Sequence, residues 1–458
     1  VKQRLTEALR TSRADYTEIR LERSWSATVA LRGRRVEGAQ TAFDGGGFVR
    51  CLNRGYGWGS ATFTGFDELP AMVARAHELS LAVRLDQPIR LAEIPLRQED
   101  VRDDLDGDVR GIALDQKVAL LVQLNNEMLG VDRRIVDTQA AYRDEVTEWW
   151  FGNSDGILLH ERRPEVTLSA VAVAREGDII ERGLESLGLR RGWLSVHGRE
   201  GMFRQAAERA VDLLKAPRIQ GGRYPVVLDP RLAGVFIHES IGHLSEADFV
   251  AENPAARNLM RLGRRVGPDD LNVGDDGSAA GRRGTLPYDD EGTPTQNTIL
   301  IQNGVLVGRL HSRETAARMG ERATGNARAL SFRHPPIVRL TNTYIANGRG
   351  TLDDLVRDIK LGIYACDATG GQTHLEDYSF TSGYAYMIRN GKLAELVKPV
   401  ALAGRLFETL ERIERIGGDF RWNEMGGGCG KFGQVPLPVS EGAPHVRLND
   451  VLVGGDSR

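Results

Sequence analysis

His238, Glu239 and His243 place two imidazoles and a carboxylate close together, directly behind the apolar run Val235-Phe236-Ile237. These side chains could build a hydrolytic metal site: imidazole nitrogens ligate zinc, and a neighbouring carboxylate can move a proton. The spacing is not the common one. The familiar zinc-peptidase pattern sets its histidines at i and i+4, on one helical face. Here they stand at i and i+5, so a regular helix would point the two rings about 140° apart. They can meet on one ion only if the helix loosens between them. Gly242 tolerates backbone that other residues resist, so the sequence predicts a π-type bulge or a helix end there.

Zinc that keeps an open position for water takes three protein ligands. A candidate for the third is Cys429, in Met425-Gly426-Gly427-Gly428-Cys429-Gly430-Lys431. Glycines on both sides let the thiol reach a fixed point; the competing reading is a flexible loop with an incidental thiol. Glu246, Asp248, His311, His334 and His374 are further possible ligands, whereas His77, His160, His197 and His445 read as surface or core residues without an acidic neighbourhood. In such a site the metal lowers the pKa of bound water from 15.7 towards ~7. Glu239, adjacent to a ligand but not one itself, would act as the general base. A thiolate ligand donates more charge than a third imidazole, which makes the zinc a somewhat weaker Lewis acid.

The elements that must hold these residues are legible in outline. Tyr224–Leu228 reads as a buried strand, and a helix starts near Pro230. Upstream, Thr17, Ile19 and Leu21 alternate with Glu18, Arg20 and Glu22, the pattern of a half-buried strand. Asn153-Ser154-Asp155-Gly156, Asn303-Gly304 and Asn390-Gly391 mark hairpins. Residues 134–142 and 144–151 read as two strands, and 403–416 as a helix. The stretch 250–290, crowded with Gly, Pro, Asp and Arg, is too long for a simple connector and is expected to be functional or mobile. Strand clusters interleaved with isolated helices indicate an α+β fold rather than βαβ units. The domains are expected at 1–110 (mixed strands and helices), 111–219 (central, α+β) and 220–458 (larger, β-rich and catalytic), with Gln220-Gly221-Gly222-Arg223 as the clearest boundary.

Composition narrows the function. A net charge of −3 over 458 residues offers no nucleic-acid-binding balance. Three cysteines, far apart and odd in number, argue against a disulfide framework and for a reducing compartment. No apolar run is long enough for a membrane span, and the first residues lack the apolar core of a signal peptide. The expectation is a cytoplasmic protein without membrane or nucleic-acid partners.

The motif His238–His243 followed by Glu246-Ala247-Asp248-Phe249 resembles the HExxxH core of the TldD/PmbA metallopeptidase family, in its catalytic, TldD-like branch. Tyr288–Pro294 resembles the family's DDEG segment. Thr324–Arg328, Thr341–Tyr344, Gly370–Thr373 and Gly428–Lys431 resemble later blocks in the same order. The similarity is dense from about residue 224 onward and thinner before it. The stretches 250–254, 331–336 and 401–424 depart from the family pattern.

The resemblance implies one Zn2+ held by His238, His243 and Cys429, with Glu239 as general base, and a peptidase acting on extended or unfolded peptides with little sequence preference. It also implies a dimer, either of two copies or with a motif-less TldE/PmbA-like sister subunit. Asp290, Asn326 and Arg328, within the matched blocks, are candidate substrate-binding residues. Two other readings stand beside it: a specialised amide hydrolase acting on a small peptide-like metabolite, and a non-catalytic regulatory subunit.

Overall fold

The computed structural model describes residues 1–101 and 106–454. Residues 102–105, inside the crossing segment expected at 86–110, and residues 455–458 lie outside the described set, as does the side chain of His374. Helix α1 (Lys2–Thr11) leads into strand β1 (Tyr16–Arg32), which turns at Gly33 into β2 (Arg35–Leu52) and then β3 (Trp58–Phe63). Helix α2 (Leu69–Ser80), the short strand β4 (Gln98–Val101) and helix α3 (Leu114–Leu129) follow. Three long strands, β5 (Ile135–Asn153), β6 (Leu158–Glu176) and β7 (Ile179–Leu189), precede helix α4 (Glu200–Leu213). These strands form one seven-stranded sheet of order β3-β2-β1-β5-β6-β4, with β7 also on β6. The pairing of β1 with β5, from Glu18↔Asn153 to Arg32↔Gln139, carries the sheet across residue 110. Residues 135–153 form a single strand, so the division expected near 143 is absent.

The first half of β1 corrects a second expectation. Glu18, Arg20 and Glu22 are buried, as Ile19 and Leu21 are. The apolar set packs on α1 and α2, while Arg20 and Glu22 find partners in the C-terminal half and Glu18 reaches it through Arg50 of the neighbouring strand. Arg50 joins Glu18 at 2.6 Å and Glu291 at 2.5 Å, and Arg20 donates to the carbonyls of Ser331 and His334 at 2.7 and 2.8 Å. Alternation of charge and carbon signals two environments, and the second need not be water.

The C-terminal half is dominated by a nine-stranded and a six-stranded sheet over one large apolar cluster. Strand β8 (Gly222–Leu228) sits inside the nine-stranded sheet, parallel to Leu361–Cys366 and antiparallel to Val446–Gly454. Helix α5 (Pro230–Ile237) follows it and packs on Ser440–Ala443 and Asn342–Ile345 of the six-stranded sheet. The expected helix at 403–416 shrinks to Leu406–Glu411. Its flanks are strands, because Leu402 pairs with Phe380 and Val453, and Ile413 and Ile416 pair with Leu448 and Val446. Tertiary pairing overrides helical propensity there. The stretch 250–290 is built into the fold: Met260, Val266, Leu271 and Val273 are core residues, and Asp275 accepts hydrogen bonds from Thr341, Thr343 and Asn326. Strand content, several sheets and isolated helices make this an α+β fold.

Candidate metal centre

Helix α5 begins where the sequence says it should. Pro230 opens the first turn, and the Asp229 carboxylate accepts the N–H of Leu232 at 2.8 Å, capping the helix. Burial, with Asp367 nearby, pushes the Asp229 carboxyl up to about 7. After Ile237 the backbone widens into a π turn over His238–Gly242, and the N–H of His243 bonds the carbonyl of His238. An i→i+5 hydrogen bond sets residue 243 over residue 238, and the two rings lie 5.1 Å apart at 85°. The deformation expected at Gly242 spans the whole motif. Gly242 serves it by its size: a Cβ there would stand 3.1 Å from both methyls of Leu340.

Cys429 reaches this turn from a separate two-stranded hairpin, Gly428–Lys431 against Gln434–Pro438. Its Sγ lies 3.2 Å from His243 Nε2. One ligand atom from each of His238, His243 and Cys429 falls within 4.8 Å of the others, and among the described residues this is the grouping of His, Cys, Asp and Glu donors compact enough to hold a metal ion. His238 and Cys429 are buried, whereas His243 and Glu239 are partly exposed. Glu239 Oε2 stands 3.9 Å from His243 Nε2.

The electrostatics favour a thiolate. Burial works for the neutral thiol, yet the His238 and His243 rings outweigh it and hold Cys429 down at about 4. Burial works against a charged His238 ring, but the sulfur and Glu441 raise it to about 9. His243 is raised well above the usual imidazole range, against burial, by Glu246 and Cys429. A cation entering the cluster would displace ring protons and meet a sulfur already ionised.

Each motif histidine has its own carboxylate. Glu246 Oε2 lies 3.3 Å from His243 Nδ1, which leaves Nε2 facing the cluster. Glu441 Oε1 lies 3.8 Å from His238 Nδ1, a buried nitrogen without a hydrogen-bond partner. Burial alone would raise the Glu246 carboxyl, but Lys431 and His243 bring it down to about 2. Glu246 and Asp248, possible ligands by sequence, thus turn to His243 and Lys431 instead. His311 is committed to Thr315 and Glu321, and His334 to Ser331. Two histidines read as lacking acidic neighbours have them: His160 Nδ1 lies 3.1 Å from Asp100, and His445 Nδ1 2.5 Å from Asp419.

Asp290 and Arg328 line a cleft of about 690 Å³ between the seven-stranded sheet and the Cys429 hairpin, shared with Glu22, Arg163, Arg283 and Pro436. Asp290 pairs with Arg163 at 2.9 Å, and Arg328 donates to the carbonyls of Leu340 and Pro438. Asn326 is not on the cleft; it is buried among Asp275, Thr324 and the carbonyl of Arg339. Sequence reasoning missed Glu441 and Lys431 as neighbours of the cluster. Lys431, in the same glycine-flanked stretch as Cys429, carried a usable signal, whereas Glu441 had none.

Two imidazoles and a thiol beside a carboxylate are donors of the kind that hold zinc, and the comparisons supply the class, a metal-dependent hydrolase. Models of the PmbA/TldA metallopeptidase match domain 1 at residues 17–80, the central domain at 107–214 and the C-terminal domain at 221–455. A metalloprotease of Synechocystis sp. is 43% identical over 97% of this chain and 96% of its own. A zinc metalloprotease TldD homolog of Saccharolobus solfataricus is 28% identical over 96% and 97%. The crystal structure of TldE from Thermococcus kodakarensis superposes with a TM-score of 0.81 over 99% of both chains at 16% identity, a likeness of fold. The chain belongs to the PmbA/TldD metallopeptidase family.

Proposed function

We propose that this chain is a zinc-dependent peptidase that hydrolyses peptide bonds in extended or unfolded peptides with little sequence preference. The observation that carries the reading is the convergence of His238, His243 and Cys429 within 4.8 Å, with the partly exposed Glu239 carboxylate 3.9 Å from His243 Nε2. The residues fit the metal: a thiolate and two imidazoles suit zinc, and the His243 ring is held by Glu246 with Nε2 turned inward. His238, His243 and Cys429 would hold the ion. When bound, zinc supplies Lewis acidity for the scissile carbonyl and a more acidic water. Glu239 Oε2 takes a proton from the attacking water and returns it to the leaving amine.

The cleft beside the hairpin offers room for an extended chain, with Asp290 and Arg328 as charged groups on its wall. The terminal strands of the nine-stranded sheet, Gly370–His374 and Lys392–Val397, leave edges that a partner could cover. They support a dimer, of two copies or with a motif-less sister chain. Three free cysteines fit a reducing, cytoplasmic setting, and no helix among the described residues is long and apolar enough to cross a membrane.

Metal analysis of the purified protein, together with hydrolysis of an unfolded peptide by parent and Glu239→Ala, tests the reading. Zinc near one per chain and a variant that retains zinc but does not cut are expected. A metal-free parent, or a variant that cuts as fast, overturns it. Sedimentation of the active species tests the dimer; a fully active monomer would exclude it.

A further inference from the structure

The Cys429 hairpin poses a mechanical problem. It belongs to neither large sheet, it is flanked by Gly426, Gly427, Gly428, Gly430 and Gly433, and its tip residue Phe432 is 75% exposed. The return strand is well anchored. Gln434 bonds the N–H of Leu330 and the carbonyl of Pro335 through its amide, its own carbonyl accepts from Arg339, and Pro438 accepts from Arg328. The outgoing strand, which carries Cys429, has glycine at Gly428 and Gly430 and so no side chain there to pack. The segment before it is held at Gly426, whose N–H bonds Ser186 and whose carbonyl accepts from Arg283; beyond Cys429 the side-chain anchor is Lys431.

Lys431 is 10% exposed, and its ammonium has three groups of acceptors. Asp248 lies at 2.7 and 2.8 Å through its two oxygens, the carbonyl of Val338 at 2.9 Å, and Glu246 Oε2 at 3.0 Å. An ammonium has three protons to give, so this one is fully used. Glu246 Oε2 is also the oxygen that faces His243 Nδ1. A closed circuit results: Cys429 to Lys431 along the chain, Lys431 to Glu246, Glu246 to His243, and His243 Nε2 back to Cys429 Sγ at 3.2 Å. Asp248, on the short helix Ala247–Glu252, fixes the circuit to the framework.

We infer that Lys431 is a positioning residue that locks the cysteine-bearing strand to the histidine-bearing turn, gathering the three metal donors before an ion arrives. This rests on the metal-site reading above. Without the lock, the Cys429 strand is held to the histidine turn only through its ladder with Gln434–Pro438 and the anchors at Gly426, and the residual freedom of the thiol must be lost at the moment of binding, at the expense of affinity. The ammonium also balances two carboxylates, Glu246 and Asp248, and so keeps Glu246 aimed at His243 Nδ1. Outer partners of this kind are worth about 10–100-fold in metal affinity.

The test uses the full chain and zinc itself. Zinc affinity is measured by competition with a chromophoric chelator for the parent, Lys431→Gln and Lys431→Arg, and thermal unfolding of each is recorded without metal. Expected are a zinc affinity about 10–100-fold weaker in Lys431→Gln, a metal-free midpoint lowered by too little to account for that loss, since two carboxylates lose their cation, and substantial recovery in Lys431→Arg. Cobalt-substituted Lys431→Gln should show a weakened thiolate-to-metal charge-transfer band. Parent-like zinc affinity in Lys431→Gln overturns the inference, as does a drop in the metal-free midpoint that accounts for the whole affinity loss. If Lys431→Gln does not fold, Asp248→Asn carries the test: it weakens the lock with Lys431 in place, and unchanged zinc affinity there overturns the inference. A parent that binds no zinc would instead sink the metal-site reading, so the two failures are distinct.

Discussion

Cys429 Sγ stands 3.2 Å from His243 Nε2 although 186 residues separate them in the chain. The π turn supplies the two rings, and a hairpin built at the far end of the sequence supplies the sulfur. If this contact is a metal site, removing the sulfur should matter more than removing any outer partner. Cys429→Ala is expected to weaken zinc binding by more than about 100-fold, beyond the range typical of outer groups. Treatment of the parent with a strong chelator should abolish peptide hydrolysis, and added zinc should restore it. Metal titration and a peptide assay check both.

Glu239 is close to the donors but not among the clustered three. Its substitution should therefore separate chemistry from binding. Glu239→Gln is expected to keep zinc at the parent level and lose about 10²–10⁴-fold in kcat, the usual worth of a positioned proton carrier. Proportional loss of zinc and activity would assign Glu239 to the ligands instead.

The acidic segment Asp289–Glu291 is a buried joint between the two halves. Asp289 accepts the N–H groups of Glu291, Thr293 and Ala327, Asp290 pairs with Arg163, and Glu291 pairs with Arg50. Gly292 closes the segment at φ +76, and a Cβ there would meet the Phe151 ring at 2.6 Å. Phe151 is fully buried and stacked on Trp149, so it has little room to yield. Gly292→Ala combines a left-handed backbone with overpacking and should cost about 2–4 kcal/mol. Urea unfolding measures it; a loss below 0.5 kcal/mol (roughly the scatter of neutral surface substitutions) would contradict the joint.

Asp229 caps α5, and its carboxyl is pushed from 3.8 up to about 7 by burial. A carboxyl raised on folding holds its proton longer in the native state. Its contribution is therefore fully present below pH 4 and is lost as pH rises towards 7. Asp229→Asn, which can still cap the helix, should flatten this part of the stability profile. Thermal midpoints of parent and variant between pH 4 and 7 should converge at the acid end and favour the variant at the neutral end.

Hairpin turns, the helix start at Pro230 and the strained spacing of His238 and His243 were legible in the sequence, because each depends on local backbone preference. The need for a widened turn followed from helical geometry alone. What the sequence could not show is which environment a residue meets. Glu18, Arg20 and Glu22 carried the pattern of a strand with one wet face, yet Glu18 meets Arg50 across the neighbouring strand, and Arg20 and Glu22 meet Ser331 and Phe332 some three hundred residues on. Residues 403–416 had a helical pattern, yet pairing with Val446–Gly454 drew both ends into a sheet.

The same division holds at the site. The sequence by itself determined the candidate donors, the unusual spacing of the two histidines and a glycine-flanked thiol. Tertiary structure alone decided that Glu246 turns to His243 rather than to an ion, that Glu441 stands behind His238, and that Lys431 ties the hairpin to the turn. The reason is physical. Spacing along one helix is fixed by its backbone, whereas contacts across 186 residues depend on how sheets pack, which no local pattern encodes.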